Sequence, residues 1–308
     1  MRCELLAIVG LTATGKGQLA LDVAEALGGP ERVSLLACDS AKVYRGADIG
    51  TAKLTGEARR GFDFFGVDIV DPGVPYSAGR YQQEGRQACE ALWQRGRLPV
   101  VVGGTGLYFR ALLDGLSDAP PADDAVRQAL LARRAAGEDL HASLQAVDPQ
   151  AAAKIAPADA HRIIRALEVY EITGLPLSEV HRRGAEPFAV DKIVVVSLDA
   201  PRAWLAERVE RRTRRMREAG LLAETRKLLG QVERPTAPPL TAVGYRHLVQ
   251  YLQGKWTEEE AFARLVRDTL RLAKRQRTWF KRERRAARRD AAAGPEALRA
   301  EVLRLWEA

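Results

Sequence analysis

Cysteine is scarce: Cys3, Cys38 and Cys89 are the three in 308 residues. The number is odd and no Cys-x-x-Cys pair occurs, which points away from a disulfide framework and towards a reducing, cytoplasmic compartment. Histidine is equally thin. His141, His161, His181 and His247 show no metal-ligand spacing with Cys or acids, so a protein zinc site is not expected. Long apolar runs are also missing. Leu5–Val9 falls far short of the ~20 residues of a membrane helix and leads directly into a glycine-rich loop, so no membrane segment is expected. No internal repeat is visible.

What is present begins with a core. Hydrophobic residues make up 46% of the chain, enough to exclude disorder as the default and to suit one large domain or one domain carrying an insertion. Lys and Arg number 48 against 40 Asp and Glu, a formal net charge of +8. That surplus is as compatible with a nucleic acid partner as with solvated arginine faces.

The first third alternates short β-branched runs with helical stretches. Leu5–Val9, Val33–Ala37 and Leu98–Val102 read as strands, Gln18–Leu27 as a helix, and Ser77 as the cap of a helix reaching about Arg95. This is the pattern of a parallel α/β sheet, which binds ligands beyond the carboxyl ends of its strands. Gly10–Gly17, Asp39-Ser40 and Gly103–Gly106 each follow a strand directly, so three polar loops are expected at one edge. After a linker-like segment at 118–124, Ala125–Val180 reads as wholly helical, and strand character returns at Lys192–Leu198. The expected organisation is a core of residues 1–114 and 191–308 with a helical insertion over 115–190. From Pro201 onward the chain reads as helical and strongly basic.

Gly10-Leu11-Thr12-Ala13-Thr14-Gly15-Lys16-Gly17 matches Gly-x-x-x-x-Gly-Lys between a strand and a helix. Glycines let successive N–H groups turn inward onto anionic oxygens, the helix adds its positive end, and Lys16 adds a charge. Gly17 departs from the motif, because the Ser or Thr expected there ordinarily ligates Mg²⁺ through its hydroxyl. A metal must then be held by other groups or through water.

Further blocks extend the pattern: Asp39–Gly46, Asp48–Lys53, Val102–Phe109, His161–Tyr170, Ala242–Arg246 and Leu272–Gln276. With the phosphate loop, they occur in the order found in tRNA dimethylallyltransferases (tRNA isopentenyltransferases), and the chain resembles that family over most of Leu5 to Arg284. The resemblance implies a P-loop NTPase-like parallel sheet flanked by helices, with an inserted all-helical domain. It also implies the reaction: dimethylallyl diphosphate gives its prenyl group to N6 of the adenosine next to the anticodon (position 37) of tRNA, releasing pyrophosphate with Mg²⁺ assistance. The partners would be a tRNA anticodon stem-loop and dimethylallyl diphosphate, the protein a cytoplasmic monomer.

Adenine N6 is a weak nucleophile because its lone pair is delocalised, so a positioned carboxylate assists attack. Asp39 matches the family residue in that role; taken alone it suits a metal ligand or a helix cap equally. Thr105 matches a residue near the base and the diphosphate, and Arg212 one that holds the diphosphate. The diphosphate itself would lie on Gly10 to Gly17. Contacts to tRNA would come from Asp39, Ser40, Ala41, Lys42 and Thr105, from Arg127, and from His161, Arg162, Ile163, Ile164 and Arg165. Thr241, Ala242, Val243, Gly244, Tyr245 and Arg246 complete that set. Lys42 stands where the family usually has Gln or a hydrophobe, and a cation there is expected to touch RNA phosphate. Phe62–Gly66 stands where histidines are common. Three rivals remain at this level: a P-loop small-molecule kinase, a prenyltransferase of free adenine nucleotides, and a catalytically weakened tRNA-binding relative.

Overall fold

The computed structural model describes residues 2–308. Its first part runs β1 (Glu4–Gly10), α1 (Lys16–Ala26), the one-turn α2 (Gly29–Arg32), β2 (Val33–Cys38), β3 (Phe64–Phe65), α3 (Ala78–Gln94), β4 (Leu98–Gly103) and α4 (Gly106–Asp114). Five helices follow: α5 (Asp124–Ala135), α6 (Leu140–Val147), α7 (Pro149–Ala152), α8 (Ala160–Thr173) and α9 (Leu177–Arg182). The chain continues with β5 (Lys192–Asp199), α10 (Arg202–Glu218), α11 (Leu221–Leu229), α12 (Arg246–Leu252), α13 (Glu258–Phe280), β6 (Ala286–Asp290) and α14 (Pro295–Glu307). It divides into two compact units, the residues up to Leu112 with Ala189–Ala308, and Leu113–Phe188.

The larger unit is built on one six-stranded sheet in the order β3-β2-β4-β1-β5-β6, with every neighbouring pair parallel. Strands covered on both faces must be apolar at consecutive positions rather than at alternate ones. Leu5 to Val9 of β1 are accordingly all fully buried, as is nearly all of β2. Leu19, Leu21 and Val23 of α1 and Leu298 and Val302 of α14 pack with Leu6, Ile8 and Leu35 of the sheet. Ser77 Oγ accepts the Arg80 amide at 3.1 Å and starts α3 where the sequence anticipates a cap. The long α13 is started by a reciprocal box: Thr257 Oγ1 accepts the Glu260 amide, and the Glu260 carboxylate accepts the Thr257 amide. A box of this kind stabilises a helix start by about 1 kcal/mol.

Two strands escape the sequence reading. β3 is two residues long, too short to show a period. β6 lies in the basic run expected to be helical, yet it pairs with β5 from Val195↔Ala286 to Asp199↔Asp290. It is an edge strand, where backbone pairing needs no apolar side chains and charged ones are tolerated.

The smaller unit has its own core of Leu130, Leu144, Ile163, Ile164 and Leu167. Asp123, Asp139, Asp148 and Asp159 accept amides at the starts of α5, α6, α7 and α8. These aspartates set the boundaries of short helices in an Ala-rich segment that would otherwise read as continuous.

Candidate active site

The phosphate loop leaves β1 at Gly10, whose φ is 119° and where a Cβ would lie 2.2 Å from the Leu198 carbonyl oxygen. Only glycine fits that approach of β1 to β5. The Leu11 amide then donates to Leu198 O at 3.0 Å, and Thr14 Oγ1 donates to Leu11 O at 2.7 Å. Gly15 takes a left-handed conformation ahead of α1, whose first turn carries no acidic residue and no side-chain cap. Its amides therefore remain open to an anion. Lys16 Nζ folds back and donates to Leu11 O. Burial, then the charges of Lys42 and Arg212, push the Lys16 ammonium down to about 7.

Two neighbouring helices brace the loop. From α10, Arg208 Nε donates to Ala13 O at 2.9 Å and Arg212 Nη1 donates to Thr12 Oγ1 at 3.2 Å. From α13, Gln276 Oε1 accepts the Thr12 amide at 2.7 Å while its Nε2 donates to Gly104 O at 3.0 Å. Gln276 thus ties the loop after β1 to the loop after β4. In that second loop the Gly104 and Thr105 amides both donate to Cys38 O at 3.1 Å, and Thr105 Oγ1 accepts the Ser40 amide at 3.1 Å. Asp39 Oδ1 accepts the Ala41 amide at 2.9 Å, which fixes the carboxylate at the end of β2. Burial pushes the Cys38 thiol up to about 12, so it is a neutral wall and not a nucleophile.

Two cavities meet over these loops. A smaller one of about 250 Å³ is lined by Thr12, Lys16, Gly17, Lys42, Lys53 and the residues of a shared wall. A larger one of about 430 Å³ is lined by Ser40, Thr105, Thr241–Gly244, Arg246 and Trp279. Asp39 and Arg212 belong to both and so stand where the two join. Burial holds the Arg212 guanidinium below its usual range, with the charge of Asp39 acting in the opposite sense.

The structure redistributes several expected contacts. Lys42, expected at RNA phosphate, lines the phosphate-loop cavity and not the larger one. Leu11 has its amide committed to Leu198 and its side chain buried, so it offers nothing to a diphosphate. Tyr245 is fully buried with its hydroxyl on Glu224 Oε1 at 2.8 Å, so it cannot present a ring to a base. In the helical unit Ile163 and Ile164 are core residues, because the apolar face of α8 is the one that packs. Arg127 and Arg165 hold the fully buried Glu168, at 2.8 and 2.5 Å. His161 and Arg162 are exposed.

Three contributors went unread in the sequence. Gln276 ends the Leu272–Gln276 segment, but its clamp spans 264 residues. Trp279 lies three residues further on, 38% exposed at the larger cavity, its indole over Gly106 and 5.6 Å from the Arg110 guanidinium. A large ring left half open beside a polar cavity is a surface for stacking. Glu224 is the third. Its carboxylate accepts the consecutive amides of Asp48, Ile49 and Gly50 at 3.0, 2.8 and 3.0 Å. Gly50 is pressed so closely to the Tyr245 ring that a Cβ would lie 2.5 Å away.

A phosphate cradle opening onto a second cavity, with a carboxylate at the junction, defines a P-loop α/β enzyme that acts on a phosphorylated donor. The IPP transferase family model matches residues 42–283. A tRNA dimethylallyltransferase of Halorhodospira halophila is 45% identical over 285 residues, covering 91% of each chain. One from Moorella thermoacetica is 45% identical over 292 residues, covering 91% of this chain and 88% of its own. Among solved structures, the full-length tRNA isopentenylpyrophosphate transferase of Bacillus halodurans superposes with a TM-score of 0.70 at 35% identity, covering 99% of this chain and 97% of its own. A eukaryotic dimethylallyltransferase acting on tRNA superposes with a TM-score of 0.78 at 25% identity, covering 94% and 74%. The chain belongs to the IPP transferase family and is a prenyltransferase that modifies tRNA with a dimethylallyl group. Among the described residues no helix is long and apolar enough to cross a membrane.

Proposed function

We propose that the smaller cavity takes the diphosphate of dimethylallyl diphosphate and the larger takes the adenosine next to the anticodon, position 37, of a tRNA anticodon stem-loop. The observation that carries this reading is the shared wall: Asp39 and Arg212 face both cavities at once. In the reaction the donor's C1–O bond breaks, its electron pair leaving on pyrophosphate, and a C1–N6 bond forms. Asp39 accepts the N6 proton as the amine gains its new bond. Arg212, Lys16 and the open amides at the start of α1 take up charge on the departing oxygens. Thr105 holds the Asp39 segment in place through the Ser40 amide. The adenine must leave the loop stack to reach this junction, and Trp279 offers a ring at the mouth for a neighbouring base. In this reading the protein works as a cytoplasmic monomer.

A resident metal ion finds a poor donor set here. Position 17 has no hydroxyl, and among the described residues no group of three His, Cys, Asp or Glu side chains could hold an ion. Mg²⁺ in this reading is therefore part of the substrate, carried on the diphosphate oxygens.

The test is Asp39→Asn, assayed by mass spectrometry of tRNA nucleosides with dimethylallyl diphosphate as donor. Turnover should fall by about 10²–10⁴-fold while tRNA affinity stays near that of the parent. Equal loss of both would make Asp39 a binding residue. Phosphoryl transfer from labelled ATP without prenyl transfer would return the chain to the small-molecule kinases.

A further inference from the structure

Gly17 is the second residue of α1, where a phosphate cradle ordinarily carries the hydroxyl that ligates Mg²⁺. Packing does not demand the glycine. Its φ is not left-handed, and a Cβ there would meet Leu54 Cδ1 at 3.5 Å, an ordinary contact. The hydroxyl is therefore missing from a place that has room for it.

The same cavity holds an unusual density of positive charge. Lys16, Lys42 and Arg212 all line it, with Asp39 as the carboxylate facing them. Lys53, on the same wall, shows what a neutralised cation looks like: it is buried, with Asp48 at 2.7 Å and Asp68 at 2.6 Å. The other three differ. Lys16 is bonded to a carbonyl and Arg212 to a hydroxyl, and among the described residues none of the three has a carboxylate within ion-pair distance. Three cations facing one carboxylate, none of them in an ion pair with it, repel one another and carry a net positive charge that an arriving anion relieves. Burial, reinforced by Arg212 and Lys53 and opposed by Asp39, holds the Lys42 ammonium below its ordinary range, and Lys16 and Arg212 are displaced the same way. The cavity is charged for a polyanion before any metal takes part.

We infer that this chain binds diphosphate mainly through its own side-chain cations, with Lys42 joining Lys16 and Arg212 to supply the counter-charge that a hydroxyl-held Mg²⁺ supplies in other phosphate cradles. Diphosphate affinity is then nearly independent of divalent cation. The inference rests on the donor-side assignment above and deepens it. Lys42 becomes a donor-side residue, one turn of chain from the carboxylate that faces the acceptor.

Calorimetric titration of the full chain with inorganic pyrophosphate, in EDTA and again in millimolar Mg²⁺, tests it. The parent should bind in both, with dissociation constants within about threefold of each other. Lys42→Gln should weaken binding in EDTA by about tenfold or more, the loss expected for a charge-assisted contact, and should regain part of it in Mg²⁺. Gly17→Ser, which the cavity accommodates, should bind pyrophosphate more tightly on addition of Mg²⁺. Binding by the parent that appears only with Mg²⁺, or a Lys42→Gln variant that binds like the parent in EDTA, overturns the inference and leaves the donor cavity standing. Absence of pyrophosphate binding in either medium removes the donor-side assignment as well.

Discussion

At the scale of single residues, chemistry is set by neighbours that sequence places far apart. The Gly-x-x-x-x-Gly-Lys spacing was legible because a cradle of amides needs glycines at fixed positions. The state of Lys16 was not, since it depends on burial and on Lys42 and Arg212. A lysine depressed to about 7 is about half neutral near physiological pH in the empty site, and a bound anion favours its charged form. Ligand binding then takes up a proton. The Lys16 contribution to diphosphate affinity should be flat below about pH 6 and fall by up to tenfold per pH unit above about 7, until the bound-state value is reached. Titrations with pyrophosphate across this range check the slope, and Lys16→Arg, which stays charged, should remove most of it. A profile unchanged in that variant would assign the proton to another group. Lys42 gives a similar lesson: its place beside Asp39 was plain, but the direction it faces depends on the turn that follows β2.

Among elements, the loop over Asp48–Lys53 shows how a helix can shape a cavity it does not line. Glu224 near the start of α11 gathers three consecutive amides and the Tyr245 hydroxyl on one carboxylate. Gly50 and Thr51 of that loop line the larger cavity, and so does Gly244 beside Tyr245. Glu224→Gln replaces one carboxylate oxygen acceptor with an amide NH₂ donor that faces N–H groups. It should cost about 1–3 kcal/mol in chemical denaturation and raise KM for tRNA more than it lowers kcat. Loss of stability with unchanged KM would confine Glu224 to folding. No spacing rule announces such a latch, because a lone Glu in a helix's first turn ordinarily complements the helix dipole. The strands of the sheet centre were legible for the opposite reason. Burial on both faces requires continuous apolar runs, whereas edge strand β6, free of that demand, looked like helix.

Over the whole molecule, the excess of positive charge and the helical unit carry the expectation of RNA contact. The arginines of α8 separate into two kinds. Arg165 is bonded to Glu168, which is fully buried, and its Nη2 also donates to Pro120 O. Arg165→Ala should therefore destabilise the helical unit by about 3 kcal/mol, because a buried carboxylate loses a partner. Arg162 is exposed and its neighbour Asp159 lies 3.4 Å away, so Arg162→Ala should leave stability within about 0.5 kcal/mol. If that face meets tRNA, the same change should lower the slope of log affinity against log salt by about one. Thermal melts and binding at several salt concentrations separate the two residues. An unchanged slope removes Arg162 from the interface. Sequence spacing alone made the pair look equivalent, and only the position of Glu168 between Arg127 and Arg165 tells them apart.

The clamp formed by Gln276 has a consequence for synthesis. The phosphate loop is made within the first tenth of the chain, yet the Thr12 amide is held by a side chain 264 residues later. Until α13 has left the ribosome, the loops after β1 and β4 are not joined and Arg212 has no braced partner to work against. A chain ending before Gln276 thus carries the complete phosphate motif without the side chain that joins its two loops.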